Sequence, residues 1–158
     1  MVSSDNSVRS GTPNRDVSVA GYRRLAEFRY RIRRFLHFSE EAARSVGIEP
    51  QQHQLLLALK GLPAGTRPTV TALSHRLCLR HHSTVELVDR LVERGAVRRL
   101  ACCEDHRQVL IELTPHGDEL LHRLSVLHRE ELRVFEPALS EALWAVAHRS
   151  GRRRRRPE

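Results

Sequence analysis

The chain is poor in aromatic residues: one Trp, two Tyr and four Phe make up 4% of its 158 positions. That is too thin for the stacking platforms on which single-stranded nucleic acids are held. Cysteine is scarce as well. Cys78, Cys102 and Cys103 are few and unevenly placed, so no disulfide framework is expected, in agreement with a reducing compartment. No run of about 18 apolar residues occurs, so no membrane span and no membrane partner are expected. The opening stretch MVSSDNSVRSGTPNRDVS lacks the apolar core of a secretory signal, and a cytoplasmic location is expected. Catalytic signatures are missing: there is no nucleophile motif, phosphate loop or paired acid and base. The ten histidines form no H-x-x-x-H pair and the cysteines no C-x-x-C pair. Neither an enzyme nor a metal or other cofactor is expected.

Lysine is nearly absent too, with Lys60 alone among 27 basic residues. The arginines dominate instead and carry the formal charge to +8 and the isoelectric point to about 10.8. An excess of that size points to a polyanionic partner, of which nucleic acid is the commonest. Five of the arginines form one run, Arg152 to Arg156, without which the excess falls to about three.

Residues 1–18 are rich in Ser, Asn, Asp, Gly and Pro and read as a disordered arm. Residues 151–158, GRRRRRPE, read as a solvated basic tail. Between them lies one mostly helical domain, 19–150. Its first helix is expected over about 22–45, where Leu25, Phe28, Ile32, Phe35, Ser39, Ala42 and Val46 recur at alternating spacings of three and four. Only Ser39 breaks that apolar seam. A seam on a helix of about 36 Å needs a partner, either another part of the chain or a second subunit. A second helix runs from Pro50 to about Leu59, and GLPAGTRP (61–68) is a loop.

The segment 71–95 is the most informative. Thr71 is suited to capping a short helix over 72–77 whose Leu73 and Leu77 face inward. Cys78 and Leu79 make a tight connection to a longer helix over about 80–94, with Thr84, Leu87, Val88, Leu91 and Val92 on one face. Gly95 stops that helix as a left-handed C-cap. Short helix, turn and longer helix form the helix-turn-helix plan. The period then changes: AVRRLA (96–101) and QVLIEL (108–113) are β-prone runs around a charged tip, which together make a wing. Thr114 and Pro115 open another helix, which Pro137 is expected to interrupt before a terminal helix over about 140–149.

This order resembles the MarR family of bacterial regulators. The similarity covers about residues 22–149 and rests on TVTALSHRL (69–77), HSTVELVDRLVERGAVRR (82–99) and EDHRQVLIELTPHG (104–117). It implies a mainly α fold: a winged helix-turn-helix lobe at about 50–113 with a two-stranded β wing, plus dimerisation helices at about 22–45 and 115–149. It further implies a homodimer that binds a pseudo-palindromic double-stranded DNA operator. A cleft between dimerisation helices and lobe would take a small-molecule effector and relieve repression.

On this reading Arg80, His81, His82, Ser83 and Thr84 open the groove-entering helix, whose unpaired N–H groups and dipole suit phosphate. Ser83 and Thr84 are equally suited to capping or packing. Glu86 stands where the family commonly has a basic or polar residue. Its carboxylate is able to accept from a cytosine or to hold Arg90. Asp89 and Arg90 are suited to bridging this helix to its neighbours, and Arg98 and Arg99 to touching phosphate or lining a solvated strand. The resemblance implies that Arg107 enters the minor groove, oriented by Asp105, with His106 where arginine is frequent; a plain surface ion pair is the alternative. Leu25, Phe28, Ile32, Phe35, Leu139 and Leu143 are the dimerisation candidates. Cys102 and Cys103 invite a redox-switch reading, Arg99 and Arg107 favouring a thiolate and Glu104 and Asp105 opposing it. A winged-helix protein-interaction module is the remaining alternative.

Overall fold

The computed structural model describes residues 17–101 and 109–148. In chain order its elements are α1 (Val19–Ser45), α2 (Pro50–Lys60), α3 (Val70–Leu77), α4 (His81–Glu93), β1 (Val97–Ala101), β2 (Val109–Leu113) and α5 (Pro115–Ala147). The wing tip with Cys102, Cys103, Asp105, His106 and Arg107, the basic tail, and the arm apart from Val17 and Ser18 lie outside the described residues.

Helices α2, α3 and α4 close on the antiparallel β1–β2 pair to form the lobe. Leu55, Leu56, Leu73, Leu91 and Ile111 are fully buried there. Each such side chain contributes roughly 1.5–3 kcal/mol relative to leaving it in water. Pro68 and Thr69 extend the sheet, because the Ile111 N–H donates to the Pro68 carbonyl at 2.8 Å and Thr69 bridges Leu110. The loop before α3 is thereby part of the wing's hydrogen-bonding, a link that its Gly and Pro content did not announce.

The long helices α1 and α5 pack on each other and meet the lobe through Ala42, Ala43, Leu120, Leu121 and Leu124, all in the common core. The lower part of the seam on α1 finds its partner within the chain, Phe35 lying 6.3 Å from the Phe135 ring. Ser39, the polar break in that seam, is buried, and its hydroxyl lies 2.7 Å from His128 Nε2 on α5.

Four local expectations are corrected. Helix α1 begins at Val19 rather than Tyr22, because the Ser18 hydroxyl caps it by accepting from the Gly21 N–H at 3.2 Å. Thr69, not Thr71, caps α3, accepting from the Ala72 N–H at 3.2 Å. Pro137 does not interrupt the last helix: α5 continues through it to Ala147. Phe135 and Ala142 on either side are buried, and that packing holds the helix across the hydrogen bond that proline cannot make. Thr84 is fully buried and so is withdrawn from the proposed contact surface.

The ends of α3 and α4 share one device. After α4, Gly95 takes φ +67° while the Ala96 N–H reaches back to the Leu91 carbonyl and the Gly95 N–H to Val92. After α3 the same pair of bonds forms, Leu79 to Ser74 and Cys78 to His75, but the left-handed position holds Cys78 at φ +53°. The turn of the helix-turn-helix is therefore a Schellman closure with a cysteine where glycine is usual.

Candidate nucleic-acid interface

Helix α4 is oriented by its buried side. Thr84, Leu87, Val88 and Leu91 face the core, and the Thr84 hydroxyl is spent locally, donating to the Arg80 carbonyl at 3.2 Å. The opposite side therefore faces outward, with His81, His82, Glu86 and Arg90 exposed and Ser83 half-buried. Arg80 is the N-cap residue, in extended backbone, and no side chain among the described residues caps the helix. The first N–H groups of α4 are left without a side-chain acceptor beside exposed Arg80, His81 and His82, an arrangement suited to a phosphate oxygen.

One ion pair among the described residues joins this helix to the wing. Asp89 leaves α4 to meet Arg99 of β1 at 2.6 Å, tying helix to wing. Glu86 and Arg90, one turn apart, stand at 4.0 Å. Arg98 and Arg99 leave opposite faces of β1, as strand geometry requires. Arg98 pairs across the strands with Glu112 at 2.5 Å, so only Arg99 is brought to α4. The guanidinium of Arg94, the C-cap residue of α4, donates to the Gly47 carbonyl and anchors the helix to the α1–α2 turn. Arg94 was not singled out from the sequence, where it is one arginine among many.

The join between wing and α5 is built from Thr114 and Gly117. The Thr114 hydroxyl accepts from the Gly117 N–H at 3.1 Å and donates to the Gly95 carbonyl at 2.5 Å. The Thr114 N–H reaches the Ala96 carbonyl at 3.1 Å. Gly117 sits so close that a β-carbon there would lie 1.9 Å from the Ala96 oxygen. The stretch from threonine to glycine in LTPHG is thus a clasp between the end of the groove-facing unit and the long helix.

The dimerisation candidates separate into two groups. Phe28, Ile32, Phe35 and Leu139 are half-buried within the chain, whereas Leu25 and Leu143 remain exposed. Tyr22, Val134 and Trp144, the last stacked on His148 at 4.8 Å, extend the exposed apolar set, with Val134 78% and Trp144 61% accessible.

Residues 46–108, which take in the lobe up to β2, match the model of the MarR family. No curated protein matches the chain in sequence. Solved structures are similar over most of its length. AbsC, a MarR family transcriptional regulator from Streptomyces coelicolor, superposes with a TM-score of 0.67 at 20% identity, covering 84% of this chain and 95% of that one. Wild-type MarR from E. coli, in its apo form, gives 0.58 at 22% identity over 77% and 93%. A mutant of Staphylococcus aureus MepR bound to an oligodeoxyribonucleotide gives 0.60 at 20% identity over 76% and 85%. The family match on residues 46–108 and the fold shared by the described residues lead to one assignment: this chain carries a winged helix-turn-helix segment of the MarR family and has the fold of MarR family transcription regulators.

Proposed function

We propose that this regulator is a homodimeric, ligand-responsive repressor that binds a pseudo-palindromic operator through α4 and the wing. The observation that carries the DNA-binding part is the setting of α4. One face is locked into the core, and the other presents an uncapped N-terminus with Arg80, His81 and His82. Arg107, with Asp105, is the proposed minor-groove contact of the wing, and Ser83 and Arg99 the proposed phosphate contacts. The MepR relative bound to an oligodeoxyribonucleotide supports the same use of the fold.

Pairing of two copies is supported by the exposed apolar residues Tyr22 and Leu25 of α1 and Leu143 and Trp144 of α5. Two lobes on one two-fold axis would meet half-sites about one helical turn apart. A groove of about 660 Å³ lies between the end of α2, the wing and the start of α5. Leu59, Ile111 and Leu113 line it, and its cations Lys60 and Arg98 are paired with the lining acids Asp118 and Glu112, which suits a small, mainly apolar effector.

The test is fluorescence anisotropy on a duplex from upstream of the gene at two salt concentrations. Affinity should fall steeply as salt rises, through release of counterions from neutralised phosphates. Arg107→Ala should weaken binding at both concentrations; unchanged affinity removes the wing from the interface. If wild-type protein ignores duplex DNA even at low salt, the protein-interaction reading takes over.

A further inference from the structure

We infer that Glu86 reads a cytosine in each half-site, making a C·G pair at one symmetric position a requirement for tight binding. This rests on the reading of α4 as the groove-entering helix. Burial of Thr84, Leu87, Val88 and Leu91 fixes how α4 is turned about its axis, and Glu86 falls on the opposite side with its side chain 66% exposed.

Helix α4 carries three carboxylates. Asp89 is held by Arg99, and Glu93 is the last helical residue, remote from the end that enters the groove. Glu86 lies in the second turn. Its only ion-pair partner among the described residues, Arg90, stands 4.0 Å away, beyond hydrogen-bond range. The oxygens of Glu86 are therefore free to accept.

A free carboxylate on a surface that meets phosphates weakens binding unless something in the groove donates to it. An ionised carboxylate accepts only. On the major-groove edges of the bases, guanine N7 and O6 and thymine O4 all accept and repel it. Adenine offers its N6 amine, but with the N7 acceptor beside it. Cytosine alone presents an amine with no acceptor on the same base. Arg90, alongside, carries donors for the O6 and N7 of the guanine paired with that cytosine. Side by side, the two residues are the complement of a C·G edge. Glu86 is in this view a specificity residue that also penalises every other pair.

The experiment selects duplexes from a randomised library with the purified full chain and its E86Q and E86A variants, then measures affinities by anisotropy. Wild type should enrich cytosine at one symmetric position, and changing that C·G pair to T·A should weaken binding roughly 5- to 150-fold. E86Q should move the preference to adenine, whose N6 and N7 suit an amide that both donates and accepts. E86A should lose the preference and bind arbitrary duplex more tightly, since a negative charge is gone. Circular dichroism should show both variants folded, Glu86 being exposed. Identical base preferences in E86A and wild type overturn the inference, as does a wild-type consensus lacking that cytosine. Wild-type protein that binds no duplex at all overturns the groove reading itself, a failure distinct from binding with an unaltered preference.

Discussion

His128 of α5 is bound to Ser39 of α1 across the core, its Nε2 2.7 Å from the Ser39 hydroxyl. Its Nδ1 lies 2.6 Å from the Leu124 carbonyl, and since a carbonyl only accepts, that nitrogen carries the proton. Nε2 shares the second hydrogen bond, with the Ser39 hydroxyl. The His53 ring of α2 tilts against His128 at 4.7 Å, and Phe35 and Phe38 of α1 set their edges to it. Three helices from both layers thus converge on one polar contact.

His53 makes the stability of this junction depend on pH. It is 2% exposed, its Nδ1 has no partner among the described residues, and burial, followed by the neighbouring His128, lowers its pKa from 6.5 to about 4. The folded state therefore holds His53 neutral where the unfolded chain would protonate it. Its contribution is complete above pH 6.5 and is lost progressively as pH falls towards 4, by up to about 3 kcal/mol in all. Among the groups packed on it, His128 is the one that acts by charge. Urea midpoints at pH 7.5 and 5 should differ for wild type and converge for His53→Phe. An equal acid loss in both proteins would refute the assignment.

Gly117→Ala should be among the most damaging single-methyl changes in the chain. The added carbon would overlap the Ala96 carbonyl, which is backbone and cannot swing aside. Overpacking of this kind costs about 1–3 kcal/mol or more. It would also loosen the Thr114 clasp, so a lowered Tm should be accompanied by weaker DNA binding. A Tm within one degree of wild type would show that α5 shifts freely.

Cys78→Gly should act in the other direction. Holding a residue with a β-carbon in the left-handed region costs about 1–2 kcal/mol, and glycine gives back about 0.5–1 kcal/mol of that through its looser unfolded state. A net gain of about 0.5–1 kcal/mol in denaturant unfolding is expected. A loss would mean that the Cys78 side chain contributes packing not evident from its exposed position.

Asp89 and Arg99 are partly exposed, and their pair should contribute below about 1 kcal/mol to stability. Its effect should be larger on DNA, because it sets the angle between α4 and the wing. In a double-mutant cycle with Asp89→Asn and Arg99→Gln, the coupling in operator affinity should exceed the coupling in unfolding free energy. Additive effects on affinity would leave the pair a surface contact only.

Leu143→Glu should convert the proposed dimer to monomers. Leu143 is exposed beside Trp144, so the change leaves the fold of one chain intact while placing charge on the apolar face of α5. Sedimentation velocity should show half the mass with an unaltered circular dichroism spectrum. A wild-type monomer at micromolar concentration would dispose of the two-fold arrangement.

Much of this protein was legible from local pattern. The inward face of α4 (apart from Val92, which the structure leaves exposed at the edge of that face), the stop at Gly95, the two wing strands and the cap at Thr114 all follow from periodicity and from residues whose conformational preferences act within a few positions. The choice of Thr69 over Thr71 did not follow, because both hydroxyls precede apolar residues and only the pairing of Pro68 and Thr69 with β2 distinguishes them. The turn at Cys78 and Leu79 was legible, but its left-handed closure was not, because Cys78 stands where glycine would mark one.

What the chain encodes by itself is which side of each helix and strand turns inward, since short-range sterics and the aversion of apolar groups to water operate without knowledge of the partner. Tertiary structure decided the rest. It carried α5 through Pro137 by packing Phe135 and Ala142, and sent Arg98 and Arg99 to different acids. It also turned the one polar gap in the first seam into the Ser39–His128 contact, 89 positions apart. Such contacts depend on distances between elements remote in sequence, and no local preference contains them.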